Sequence, residues 1–199
     1  MDIETLTRLN LKKAFEGNIK FDTVVCDNDY FTELFDYSSR ALLFVYDNSD
    51  KGFSVFVSDT NGLGRDKTFI VKNPNRKDVF LMHIDGVLFK KDSKCDCALL
   101  TDSAFLFIEF KSEAANRIKD GREECYKKSY SQLLATVQEF ILRFQSIGVK
   151  FLSQFTDVGA FAVFNPTVPK TLSTEQILST RFLRLTGMKL HFNNFTLMK

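Results

Sequence analysis

Histidine and cysteine are scarce in this chain of 199 residues, with two of the first and four of the second, and their positions argue against the commonest transition-metal sites. His83 and His191 share no motif with another ligand. A zinc site at Cys95 and Cys97 would need two more thiols or imidazoles nearby, and none is spaced for it. Strict alternation turns both toward the face opposite Asp96, where small thiols buried under a helix are the plainer reading. Cys26 and Cys125 look equally structural. Four cysteines could close two bridges, but a chain of this size needs none, so reduced thiols are expected.

Long apolar runs are missing too. No stretch nears the roughly 20 residues that cross a bilayer, and Met1 to Thr5 bring neither the basic region nor the apolar run of a secretory leader. A cytoplasmic protein without a membrane partner is the expectation. Repeats, low-complexity stretches and flexible linkers are also lacking. Net charge is only +2, which neither excludes nor argues for a polyanionic partner.

What is present is apolar bulk: 44% hydrophobic residues, 22 of them Phe, enough for one continuous core and a single domain over residues 1–199. Charge is unevenly distributed. Lys90, Lys91 and Lys94 precede the most informative segment, and Lys119, Arg122, Lys127 and Lys128 follow it. After Pro166 come five Lys or Arg against one acid. These clusters are candidate nucleic-acid contacts, with ordinary solvated surface as the plain alternative.

Periodicity predicts a helix over 3–16, then short strands at 41–46, 53–58, 68–72 and 79–84 that read as successive antiparallel strands. Two further strands, 94–101 and 104–111, flank a tight turn at Asp102 and Ser103. Tyr126, Tyr130, Leu133, Leu134, Val137, Ile141 and Phe144 then step by three or four residues, the stripe of a long helix ended by Gly148. The apolar run 159–165 reads as a strand buried on both faces and parallel to the strand before the helix. A short helix near 174–180 and a final strand around 190–197 complete the order.

A two-residue turn at Asp102 and Ser103 sets residues whose numbers sum to 205 opposite each other, so Asp96 faces Glu109. Side chains alternate across a strand, which gives Glu109 and Lys111 one face and sends Ile108 and Phe110 to the other, expected to lie beneath the helix. Two directly opposed carboxylates repel unless a cation or the lysine balances them. An all-oxygen set suits Mg2+ (or Mn2+) better than zinc. Lys111 could orient or deprotonate a water, or offset charge on a pentavalent phosphate.

Asp96, followed on the next strand by Glu109, Phe110 and Lys111, resembles the metal-binding signature of the PD-(D/E)xK nuclease superfamily. The resemblance covers 94–165 clearly and the earlier region loosely. It implies an α/β (α+β) chain with a restriction-endonuclease-like core, a central mixed sheet flanked by helices, and extra antiparallel strands in the N-terminal half. It implies a Mg2+- or Mn2+-dependent deoxyribonuclease, with Asp96 and Glu109 as ligands and Lys111 as catalytic base or stabiliser. Gln132 matches a supporting glutamine that some members carry on the helix after the Glu-x-Lys strand. An acid from the first helix is common in the superfamily, and Glu16 or Glu33 would have to serve. The usual proline is replaced by Cys95.

Restriction, repair or defence is the role such a nuclease implies, with DNA as partner. Cutting both strands favours a homodimer or larger complex, although no interface is legible. The alternative is an inactive nuclease-fold protein that binds nucleic acid or protein. Asp27, Asn28 and Asp29 lack the glycine and terminal glutamate of a calcium loop, and Gly62 to Lys67 is too short for a phosphate loop. His83 beside Asp85 could line the same cleft as the acids.

Overall fold

The computed structural model describes residues 10–11, 13–15, 34–61, 63, 67–89, 94–111, 119–164 and 172–198. In order these form β1 (Phe35–Ser38), β2 (Leu42–Asn48), β3 (Phe53–Val57), β4 (Thr68–Lys72), β5 (Val79–His83), β6 (Cys97–Leu100), β7 (Ala104–Lys111), α1 (Lys119–Ser146), β8 (Asp157–Phe164), α2 (Leu172–Thr186), β9 (Lys189–His191) and β10 (Phe195–Leu197). A 3-10 turn lies at Phe151–Ser153. Asn10, Leu11, Lys13 and Ala14 are helical; the rest of the helix expected over 3–16 lies outside the described residues.

The class is α+β, on two mixed sheets. The larger sheet runs β1-β5-β6-β7-β8-β9, antiparallel from β1 to β7 and parallel from β7 to β9. Each parallel return carries a helix, α1 before β8 and α2 before β9, because a parallel neighbour can be reached only by a crossover. The smaller sheet runs β10-β4-β2-β3. There β10 joins β4 in parallel from the far end of the chain.

Two apolar layers sandwich the larger sheet. On one face Phe105, Phe107, Ala160 and Ala162 meet Tyr130, Leu133, Val137 and Phe140 of α1, together with Leu11 and Phe15. On the other, Leu99, Leu106, Ile108 and Val163 meet Val45, Phe69 and Val71 of the smaller sheet. Phe140 centres the first layer, its ring 4.8 Å from Phe15, 5.6 Å from Phe105 and 5.1 Å from Phe107. Full burial of each such side chain stabilises by about 1.5–3 kcal/mol.

Gly148 ends α1 as its position predicts. Its φ is 74°, a conformation that costs glycine little. The Val149 N–H then reaches the Phe144 carbonyl at 2.9 Å and the Gly148 N–H reaches Gln145 at 3.0 Å, satisfying carbonyls the helix leaves open.

Several expectations need correcting. Of the four early strands, β2 pairs antiparallel with β3 and with β4, but β3 and β4 do not pair with each other, and β5 joins the larger sheet. Among the described residues the helices that flank the larger sheet pack on one of its faces, and the smaller sheet covers the other. The final strand divides in two, β9 and β10 entering different sheets. The short helix extends to Thr186, and β1 was not anticipated. Among the described residues no helix is long and apolar enough to cross a membrane.

Candidate active site

The hairpin is built in the register its turn predicts. Cys97 pairs with Ile108 and Leu100 with Phe105, and the Thr101 N–H closes the turn on the Ala104 carbonyl at 2.9 Å. Continuing that register by one residue sets Asp96 against Glu109. Here the ladder changes character, because the Phe110 N–H donates to Asp96 Oδ2, at 2.6 Å, in place of a backbone carbonyl. The Asp96 carbonyl in turn accepts from Ile84 and Asp85, at 3.1 and 3.3 Å.

Glu109 and Lys111 share a face, but it is the helix face. Ile108 and Phe110, expected beneath the helix, instead pack between the sheets. The reason lies in Phe105 and Phe107, whose rings fill the space under α1 and fix the odd-numbered positions of β7 to that side. The arrangement lets α1 reach the acids. Lys111 Nζ contacts Glu109 Oε1 and donates to Gln132 Oε1 at 2.8 Å. On the parallel neighbour, Ala162 lies beside Glu109 and adds only a methyl group.

Gln132 is held from both ends. Its Nε2 donates to the Lys94 carbonyl at 3.1 Å. One turn further, Thr136 Oγ1 accepts the Cys95 N–H at 2.8 Å and donates to the Gln132 carbonyl at 2.8 Å. Two helix side chains thus clasp the backbone just before Asp96. Thr136 was not singled out in the sequence, where it reads as one more small residue on a long helix.

Electrostatics mark the same place. Burial raises Asp96 to about 7, with Asp47 and Asp85 adding to the rise and the Phe110 N–H and Lys111 opposing it. Glu109, 1% exposed, is pushed well above the ordinary carboxylate range, first by burial and then by Asp96, while Lys111 pulls it down. Its Oε2 is buried with no hydrogen-bond partner. Burial also raises Asp47, on β2, and Asp85, after β5, and Lys111 draws both back. Asp47 is a member of this field that sequence reading missed; an acid at the end of an apolar strand was its only signal.

The other candidates are scattered. Lys94 is buried with Nζ 5.2 Å over the Phe89 ring, turned away from solvent. Lys127 and Lys128 are exposed on α1, and Lys127 pairs with Glu123 at 2.9 Å. Lys119 and Arg122 lie on α1, but their side chains, like Lys90, Lys91, Glu16 and Glu33, are outside the described residues, as are Cys26 and Asp27 to Asp29. His83 does not line the acids' side: it is buried 4.5 Å from the Phe53 ring, with Asp36 at 3.8 Å. Cys95 and Cys97 part company, Cys95 toward the helix and Cys97 between the sheets, because β6 begins only at Cys97.

Asp96 and Glu109 are the residues that could hold a hard divalent ion, and Glu109 Oε2 is an oxygen free to bind one. Among the described residues no three His, Cys, Asp or Glu side chains are grouped to hold a metal by themselves. No family model matches the chain, and neither does any curated protein or solved structure. A functional reading therefore rests on the chemistry of these side chains.

Proposed function

We propose that this chain is a metal-dependent phosphodiesterase acting on DNA, built on a PD-(D/E)xK, restriction-endonuclease-like core. The observation that carries the reading is one constellation around the buried Glu109, with Asp96 just before β6, Lys111 on β7 and Gln132 on the crossover helix, all three partly buried. Opposed carboxylates with raised proton affinity gain most from a divalent cation, and two carboxylates suffice for magnesium, which keeps much of its water. When bound, such an ion neutralises charge at phosphoryl oxygens and acidifies water.

The chain's own groups do the rest. Lys111, released from Glu109, stays on Gln132 and presents its ammonium to the incoming water and to the charge that develops on phosphorus. Water oxygen bonds to phosphorus as the bond to the leaving sugar oxygen breaks; the water's proton goes to solvent or a neighbouring base, and the leaving oxygen takes one up. The exposed Lys127 and Lys128 would meet the nucleic-acid backbone. A role in restriction, repair or defence fits that chemistry.

A second reading, an inactive nuclease-fold binding module, draws on the Lys111–Glu109 contact, which supplies the balancing cation without any metal. Digestion of circular and linear, single- and double-stranded DNA with magnesium or manganese separates the two. Cutting that Lys111→Ala abolishes supports the nuclease, whereas DNA binding without cutting supports the module.

A further inference from the structure

Asp85 has no part in the mechanism above, yet its backbone is tied to the residue that bears the first acid. The N–H groups of Ile84 and Asp85 both point at the Asp96 carbonyl, at 3.1 and 3.3 Å. The turn behind is closed twice, by the Phe89 N–H on Ile84 at 3.0 Å and by the Gly86 N–H on Phe89 at 3.0 Å. Gly86 sits at φ 74°, where a side chain would be strained. Asp85 is held beside Asp96 by this frame.

Its carboxylate is partly open to solvent; burial raises its proton affinity, and the backbone amides of Gly86 and Lys94 oppose that rise. Its charge acts on both Asp96 and Glu109, and Lys111 acts on it. Independently, Glu109 Oε2 lies buried in this group without a partner.

Resting on the metal-dependent reading above, we propose that Asp85 is the outer carboxylate of the ion site, holding a water of the ion that Asp96 and Glu109 ligate directly. Magnesium retains several waters. Asp85 is thus a positioning residue, contributed by the turn after β5.

Thermal-shift titration of the full chain with magnesium and manganese tests this in wild type, Asp85→Asn and Asp85→Glu. Asparagine keeps the size of the side chain and removes only its charge, which burial disfavours, so melting in chelator should be no lower than in wild type. The metal concentration at half-effect should rise about 10–100-fold, the usual cost of losing an outer partner, and glutamate should recover most of it. A wild-type response matched by Asp85→Asn overturns the proposal and leaves the metal reading standing, as does a variant that melts lower in chelator at an unchanged half-effect. A wild type that responds to neither ion overturns the metal reading and this proposal with it.

Discussion

Gln132 Oε1 accepts a hydrogen bond from the Lys111 ammonium at 2.8 Å. The amide cannot turn round, because its Nε2 is spent on the Lys94 carbonyl at 3.1 Å. The lysine is therefore held from the helix as well as from Glu109. Gln132→Leu keeps the bulk and loses both bonds, so DNA cutting should fall about 10–100-fold, with kcat falling more than KM rises. Steady-state kinetics on a defined oligonucleotide check this.

Removing the lysine leaves Glu109 as an unpaired buried charge. Without metal, Lys111→Met should lose about 3–5 kcal/mol of stability at pH 8, and the loss should shrink at pH 5 as Glu109 takes up a proton. Manganese should stabilise the variant more than wild type, since the ion no longer competes with an ammonium for Glu109. Urea denaturation at both pH values, with and without metal, reads each arm.

The raised Asp96 carries a sign. A carboxyl moved from 3.8 to about 7 binds its proton more tightly in the folded state, so the metal-free protein loses stability as pH rises from about 4 to 7, by at most on the order of 4 kcal/mol. Glu109 acts in the same direction. Asp96→Asn should flatten this dependence. Affinity for a divalent ion should rise over the same interval, because only the ionised carboxylates bind it. Denaturation midpoints in chelator across pH 4–8 test the first statement and metal titrations the second.

Phe140 offers a control distant in chemistry. It is fully buried among Phe15, Phe105, Phe107 and Phe151, so Phe140→Ala should cost about 3–5 kcal/mol. At temperatures where the variant stays folded, its half-effect metal concentration should match wild type.

The parts of this fold legible in the sequence are the local ones. A two-residue turn fixes the β6–β7 register, and the stripe from Tyr126 to Phe144 fixes which side of α1 is buried. The run from Gly159 fixes a doubly buried strand that must lie parallel after a crossover. What is not legible depends on partners far away in the chain. Nothing in Leu42 to Lys72 says that these strands leave the larger sheet, because alternation is the same whichever sheet receives them. The pairing of β10 with β4 brings Phe195 to Ile70 across most of the chain. At the site, spacing sets Asp96 opposite Glu109 and gives Glu109 and Lys111 one face, though not which face, and Gln132 is reached only through the superfamily resemblance. Asp47 comes from the other sheet, and Thr136 bonds a backbone N–H, which leaves no trace in side-chain pattern.

On the function proposed above, the Asp96 and Glu109 carboxylates work through a divalent ion to cut DNA. The most direct measurement is the initial rate of plasmid cutting as magnesium or manganese is raised from zero, for wild type beside Glu109→Gln. The expected result is no cutting in chelator, saturable cutting with metal in wild type, and loss of that cutting in the variant. Equal rates in the two proteins, cutting that persists in chelator, or no cutting by wild type with either ion would contradict it.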